Sequence, residues 1–381
     1  MRTLADSAAR HGAEVSYAAK AFATTEFLRH LAKHPIGVDV CSLGELVTAE
    51  RAGFGPERIT LHGAGKSQEE LAAVVAGRLG RIVVDGLEEL GRLAALSQGA
   101  RRVNVMLRLN VGIEAGNHAY VRTGGNDTKF GIHLRDENAA AATIKNNPQL
   151  HFAGLHAHLG SQIYESAAYA QNASALVEAA ARFAREGLHS EQIVIGGGFG
   201  VPSHPGAVPE QLEIETAIAG AAKTLRAAAL ARSLPVPRLG LEPGRAIVAL
   251  AGTTLYRVLA VKRQSERTFL VVDGGVGENP RPALYGAYHH VVTASQVFGN
   301  DEDMTLCGRS CENDELGNVR LPAGIAAGAL LAMCSTGAYT YSMAGNYNRI
   351  PRPAVVGVRV GLRRLLARRE SVEDILRTDA V

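Results

Sequence analysis

Four groups of residues in this 381-residue chain could do chemistry together. Lys20 ends the apolar run Val15-Ser16-Tyr17-Ala18-Ala19-Lys20. An amine at the carboxyl end of a buried strand is costly to desolvate unless it is paired or covalently used. Desolvation lowers an amine's pKa, which is what an imine-forming lysine needs. Taken singly, such a lysine is more often a strand-end residue whose head reaches water. Gly196-Gly197-Gly198-Phe199-Gly200 follows an apolar run, and backbone without side chains lets amides surround a phosphate. A glycine run by itself is more often a turn. In His156-Ala157-His158-Leu159-Gly160-Ser161-Gln162, a strand-end imidazole can stack on an aromatic ring and Ser161 can donate to a phosphate. The plain alternative is a pair of core histidines satisfied by hydrogen bonds. A metal is set aside, because no Asp or Glu stands at ligand spacing nearby. Last, Leu241-Glu242-Pro243-Gly244-Arg245 pairs a carboxylate with a guanidinium. Alone that is usually a structural ion pair. Beside a phosphate cradle, a carboxylate can keep a pyridine nitrogen protonated, as pyridoxal phosphate requires to accept electrons. Lysine, cradle, imidazole and acid together point to a pyridoxal phosphate site.

The elements that must position these groups alternate. Apolar runs recur at residues 15–18, 37–40, 59–61, 82–84, 103–109, 152–155, 193–195 and 239–241. Between most of them lie Ala- and Leu-rich stretches with helical periodicity, such as 167–186 and 213–232. Eight strands alternating with helices over this length predict an α/β fold with a (β/α)8 TIM-type barrel over residues 1–245. A doubly wound sheet shares the alternation. The barrel is favoured because polar and glycine motifs follow many strand ends, with the glycine run after strand seven and the acid–arginine pair after strand eight. No G-x-G-x-x-G follows the first strand, which argues against a dinucleotide fold. From residue 246 to 381 the pattern turns β-rich, with short strands at 254–262, 268–273, 303–306, 330–334 and 354–360 and a helix near 372–378. That predicts a second, β-rich domain.

Composition narrows the function classes. The hydrophobic fraction is 46% and the charged fraction 20%, values of an ordinary globular protein. A net charge of +3 is too small to argue for nucleic acid or a charged membrane surface. No run of about 20 apolar residues is present, so nothing predicts a membrane span. The first residues carry scattered charges rather than the apolar core of a signal peptide. Cys41, Cys307, Cys311 and Cys334 lack zinc spacing and read as reduced thiols. The expected address is the cytoplasm.

The motifs resemble those of fold-type III pyridoxal phosphate decarboxylases, the alanine racemase and ornithine decarboxylase superfamily, and most closely the diaminopimelate decarboxylase branch. The resemblance runs through Tyr17–Ala21, Asp39–Leu46, His62–Ser67, Thr128–Ile132, His158–Gln162, Gly196–Gly200 and Glu242–Arg245. It continues through Arg281–His289, Cys311–Asp314, Gly337–Tyr339 and Asn346–Arg349, of which Arg281–His289 is the stretch specific to the branch. The resemblance implies that Lys20 forms the imine with the cofactor and that His158 stacks on its ring. It implies Ser161, Gly197, Gly198 and Tyr339 for the phosphate, Glu242 for the ring nitrogen, and Gly244 and Arg245 beside the cofactor. Arg245, Arg281, Tyr285 and Tyr339 would hold the substrate, Arg281 gripping the distal carboxylate and Glu312 the distal ammonium. Cys311 would donate or position a proton. In this family Cys311 and Glu312 serve the partner subunit's site, so a homodimer is implied.

The implied reaction is decarboxylation of meso-2,6-diaminopimelate to L-lysine and carbon dioxide, the last step of lysine synthesis. The alternatives are a sibling decarboxylase of another D-amino acid or a carrier-bound one, and a non-catalytic pyridoxal phosphate binder. Retention of both Arg281 and Glu312 argues against the first. The presence of the second domain, with Tyr339, argues against the other. Several features depart from the family pattern. Lys20 comes early, so the barrel is N-terminally short, lacking the strand and part of a helix expected before it, with an unpaired sheet edge as the expected consequence. Val201-Pro202-Ser203-His204-Pro205 replaces a tyrosine–threonine turn. Val276-Gly277-Glu278-Asn279 replaces a methionine- and aspartate-bearing approach to Arg281, and Ala327-Gly328-Ala329 lacks an expected aspartate.

Overall fold

The computed structural model describes residues 2–113, 128–203 and 213–380. The chain divides into two compact units, one built on the residues up to Ala246 and the other on those from Ile247 onward, with Pro202 and Ser203 grouped with the second. His204 and Pro205 lie outside the described residues.

Among the described residues the first unit holds nine strands: β1 (Ala13–Ala18), β2 (Gly37–Val40), β3 (Ile59–Leu61), β4 (Arg81–Val84), β5 (Val103–Asn110), β6 (Ile132–His133), β7 (Leu150–His156), β8 (Gln192–Val194) and β9 (Arg238–Leu241). All pair in parallel in the order β4-β3-β2-β1-β9-β8-β7-β5-β6, and a further pairing of β4 with β5 closes the ring. The ring has eight strands, since β6 only extends the end of β5 through Leu109 and Ile132. That closure decides for the barrel over the doubly wound sheet. The strands read as near-continuous apolar runs because parallel strands under helices are buried on both faces. Every residue of β8, and three of the four in each of β2, β4 and β9, are buried.

Around the ring run α1 (Arg2–Arg10), α2 (Thr25–Leu31), α3 (Leu43–Ala52), α4 (Gln68–Val75), α5 (Leu87–Leu96), α6 (Glu137–Lys145), α7 (Ser166–Arg185) and α8 (Ile214–Ala231). In α7 the buried residues Tyr169, Ala173, Leu176, Ala180 and Phe183 fall at intervals of three and four, one face of a helix. Side-chain caps fix where several helices begin. Ser42 accepts from the Glu45 amide at the start of α3, and Ser67 closes a reciprocal capping box with Glu70 on α4. Each cap follows a strand end, so the βα turns after β2 and β3 are short and fixed.

After α9 (Arg245–Val248) the second unit begins with β10 (Thr254–Arg263) and β11 (Thr268–Val272), then the short α10 (Arg281–Tyr285). β12 (Val291–Thr293), β13 (Asp301–Cys307), β14 (Glu315–Pro322) and β15 (Leu330–Met333) complete a mixed six-stranded sheet in the order β12-β15-β10-β11-β13-β14. β16 (Val355–Arg359) and β17 (Leu362–Ala367) form a separate antiparallel ribbon, followed by α11 (Val372–Leu376). Here the burial alternates as one-sided sheets require. Tyr256 and Val258 of β10 join a core with Leu270, Leu306 and Leu331, while Leu255 and Leu259 face outward. The expectation from sequence missed β12, β14 and β17. β14 is interrupted by Gly317 and alternates polar with apolar, and β17 carries Arg363 and Arg364 on an exposed edge, so neither reads as an apolar run.

Candidate active site

The polar groups of the barrel gather where its strands end, because backbone there has left the ladder and side chains point into the mouth. Lys20 lies in the single 3-10 turn Ala19–Ala21 that continues β1. The residue is exposed, so the reading that burial desolvates its amine does not hold. Its charge instead acts on its surroundings, favouring ionisation of Cys41 and Glu45 and disfavouring protonation of His158. Lys20 therefore shares the mouth with the histidine that follows β7.

Glu242, just past β9, is the electrostatic centre. His156 Nε2 lies 3.0 Å from Glu242 Oε2, and His62 Nε2 lies 3.3 Å from Glu242 Oε1. Beyond them Asp39 Oδ1 lies 3.6 Å from His62 Nε2 and accepts from Ser16 Oγ at 2.6 Å. Burial works against the Glu242 charge, yet His156 and His62 hold its carboxyl well below the usual range. Burial likewise opposes protonation of His62, but Glu242 and Asp39 push that imidazole up to about 9. Burial pulls His156 down, so at neutral pH one flanking imidazole is charged and the other neutral. The carboxylate absent from the sequence neighbourhood of His156 is thus beside it in space. His62, His156 and Glu242 offer ligand atoms within 4.8 Å of one another, the 3.0 Å contact of His156 being a hydrogen bond and the 3.3 Å contact of His62 an ion pair.

The glycine run follows β8 and is sterically obligatory. A Cβ at Gly196 would meet His158 Nδ1 at 2.4 Å, one at Gly197 the Glu242 carbonyl oxygen at 2.0 Å, and one at Gly198 the Gly160 carbonyl oxygen at 2.1 Å. Gly196 and Gly198 also adopt φ of +74° and +79°, open to glycine at little cost. The Gly197 amide donates to His158 Nδ1 at 3.3 Å, which orients the ring. Burial, then the charges of Lys20 and Arg108, keep His158 far below the ordinary imidazole range, hence neutral. Gln162 stitches the two loops together, donating to the Val201 carbonyl at 3.0 Å and accepting from its amide at 3.1 Å. Arg245 donates to Ser161 Oγ at 3.1 Å. A Cβ at Gly244 would stand 3.0 Å from the Ala21 methyl and 3.1 Å from that of Ala18.

Pyridoxal phosphate fits this donor set. An ionised carboxylate suits a pyridinium, a neutral half-buried imidazole suits an aromatic face, and the glycine turn leaves no side chain between its amides and a phosphate. Two supporting ion pairs were not anticipated. Arg108 at the end of β5 lies 3.5 Å from Asp85 and 4.5 Å over the Phe130 ring. Lys66, its side chain 1% exposed, donates to Glu89 at 2.7 Å and to the Val83 and Gly63 carbonyls. Asp39, His62 and Arg108 were legible only as polar residues at barrel strand ends, which is the signal that marks catalytic surroundings in this fold.

In the second unit Arg281 begins α10, its guanidinium 5.3 Å from the Tyr285 ring centre and 5.7 Å from that of Tyr339. Three residues expected to handle substrate or cofactor are therefore neighbours. Tyr339 holds a φ of +58°, a costly conformation for a non-glycine residue. Cys311 and Glu312 form a separate exposed group. Glu312 accepts from the Tyr347 hydroxyl at 2.7 Å, and the Cys311 amide donates to Asn348 Oδ1 at 3.1 Å. Buried Asp314 anchors their loop, accepting from the Val276 amide and the Ser310 hydroxyl, both at 2.6 Å. In the divergent approach to Arg281, Glu278 accepts from the Gly275 amide at 2.5 Å and Asn279 is fully buried, so the substituted residues are integrated locally. All four cysteines are free.

Residues 2–249 match the family described as pyridoxal-dependent decarboxylase, pyridoxal binding domain. A diaminopimelate decarboxylase of Actinosynnema pretiosum subsp. auranticum is 43% identical over 375 residues, 96% of this chain and 83% of that one. The crystal structure of diaminopimelate decarboxylase from M. jannaschii with L-lysine aligns at a TM-score of 0.90 and 28% identity, covering 100% of this chain and 89% of that one. The Helicobacter pylori enzyme with L-lysine aligns at 0.87 and 26% identity, over 99% and 94% of the two chains. With a barrel mouth built for pyridoxal phosphate and likeness over nearly its whole length, the chain belongs to the pyridoxal-dependent decarboxylases of the diaminopimelate decarboxylase family.

Proposed function

We propose that this protein decarboxylates meso-2,6-diaminopimelate to L-lysine and carbon dioxide, as the last step of lysine synthesis. The observation that carries the reading is Glu242, kept ionised between His62 and His156 in the same barrel mouth as Lys20 and the glycine cradle. Pyridoxal phosphate, when bound, supplies the electron sink that takes up the pair left by departing carbon dioxide.

The chain's own groups do the rest. Lys20 would hold the cofactor through its amine. Neutral His158 would support the ring face, and ionised Glu242 would keep a proton at the ring nitrogen. Ser161 with Gly197 and Gly198 binds the phosphate, Arg245 holds the Ser161 hydroxyl, and Tyr339 adds a further donor. Arg281, with Tyr285 beside it, pairs in bidentate fashion with the distal carboxylate, a geometry an ammonium could not reproduce. Glu312 takes the distal ammonium. Cys311 or Lys20 returns a proton to the carbon that loses carbon dioxide. The family pattern supports a homodimer in which Cys311 and Glu312 serve the partner's site. No described helix is long and apolar enough to cross a membrane, which agrees with a cytoplasmic biosynthetic enzyme.

The test is carbon dioxide release from meso-diaminopimelate, D-lysine and D-ornithine supplied separately. Release from diaminopimelate alone, abolished in Lys20→Ala, is the expected result. Equal release from D-lysine, which lacks the distal carboxylate, would remove Arg281 from its role and favour a sibling specificity.

A further inference from the structure

We propose that His62 and His156 are positioning residues for Glu242, fixing its orientation and its ionised state so that the proton resides on the cofactor's ring nitrogen. The inference rests on the site reading above, in which Glu242 meets that nitrogen, and goes beyond it by assigning work to two histidines to which that reading gives no role.

The two imidazoles come from different strands, His62 just past β3 and His156 at the end of β7, and converge on Glu242 just past β9. Their rings are 5.2 Å apart at 66°, so each points its Nε2 at a different carboxylate oxygen. A carboxylate hydrogen-bonded to His156 at one oxygen and ion-paired with His62 at the other cannot rotate freely, and each contact favours the ionised form. Both imidazoles and Asp39 are buried, so water does not substitute for them. The groups facing this core are few. Asp39 faces His62 from β2, backed by the Ser16 hydroxyl from β1. Arg108 from β5 acts on His156. Lys20, Cys41 and Glu45 lie farther toward the mouth and act on His158, Glu242 and His62 at longer range. Asp39, His62 and Glu242 follow one another across the barrel, burial and Glu242 pushing the Asp39 carboxyl up while the two imidazoles hold that of Glu242 low. The outermost position is therefore a carboxylate whose basicity is suppressed. Such a carboxylate accepts a hydrogen bond from a pyridinium but competes poorly for its proton.

Without His62, two buried carboxylates face each other with no cation between them, and Glu242 becomes more basic. The proton shared with the ring nitrogen then shifts toward the carboxylate oxygen. Without His156, one oxygen loses its donor and the carboxylate is free to turn.

The experiment loads wild-type protein, His62→Leu, His156→Leu and His156→Gln with pyridoxal phosphate labelled with 15N in the ring. The nitrogen chemical shift reports protonation directly, independent of turnover. In both leucine variants the shift should move toward the unprotonated value, with kcat down roughly tenfold or more and KM for diaminopimelate little changed. His156→Gln keeps an N–H near the Nε2 position and should restore most of the wild-type shift. Circular dichroism and the absorbance of the Lys20 imine establish that each variant is folded and loaded. Should a leucine variant fail to fold, His62→Gln takes its place, keeping a donor without the charge, with a smaller displacement expected. A wild-type ring-nitrogen shift in every loaded variant overturns the proposal. Wild-type protein that forms no imine overturns the site reading itself, a result visible before any histidine is changed.

Discussion

Gly198 shows how tightly single residues constrain this site. Its φ of +79° and the Gly160 carbonyl only 2.1 Å from where a Cβ would stand leave no room for adjustment short of moving the 158–163 loop. That loop also carries His158 and Ser161. Gly198→Ala is expected to cost roughly 3 kcal/mol from strain and overpacking together, and to lower affinity for pyridoxal phosphate. Urea unfolding and a cofactor titration would measure the two effects, and a variant with wild-type values in both would remove the cradle from its assigned place. The glycine run was visible in the sequence, but its reason was only half visible. Access to a phosphate could be inferred from composition. The collisions with Glu242, Gly160 and His158 could not, because those partners lie 38 to 45 positions away in the chain and approach only once the barrel closes. Lys20 shows the same limit from the other side. Its strand and its end position were readable, whereas its exposure depends on which other chain segments cover it.

Among elements, the βα turns do the positioning, and the turn after β3 shows how. Lys66 there reaches across to Glu89 on α5 and to the Val83 carbonyl on β4, with Glu89 also accepting from the Asp85 amide at 3.3 Å. One buried ammonium thus ties two successive turns, and Asp85 in the second of them holds Arg108. Lys66→Met leaves the Glu89 carboxylate buried without its partner, so a loss of about 3–5 kcal/mol is expected. The double variant Lys66→Met, Glu89→Leu should recover most of that loss, because replacing both ions removes the stranded charge. Thermal and chemical unfolding of the two variants checks this, and a double variant as unstable as the single one contradicts it. The caps at Ser42 and Ser67 belong to local sequence and were readable in principle. The Lys66–Glu89 pair spans 23 positions with a helix and a strand between, and nothing in either segment announces it.

At the scale of the whole molecule, the expected homodimer with shared sites makes an arithmetic prediction. Lys20→Ala and Cys311→Ala protomers should each be inactive when pure. Mixed and allowed to exchange, they form hybrid dimers in which one site draws both intact groups, so activity should return to roughly a quarter of the wild-type value per site at equal mixing. Sedimentation of the pure proteins should show a dimer. A mixture that stays inactive while exchange is demonstrated would place Cys311 and Lys20 in the same protomer's site, and activity in pure Cys311→Ala would remove Cys311 from the chemistry.

The sequence by itself determined the class of chemistry and the architecture. The period of apolar runs specifies parallel strands under helices, and an amine, glycine turn, imidazole and acid at strand ends specify a pyridoxal phosphate site, because these depend on local pattern and residue type. Only the tertiary structure decided the environment of those groups. It closed the ring through β4 and β5, set His62, His156 and Asp39 around Glu242, and left Lys20 exposed at the mouth. Protonation and burial are sums over neighbours brought together from distant strands, and such sums have no representation in any one stretch of chain.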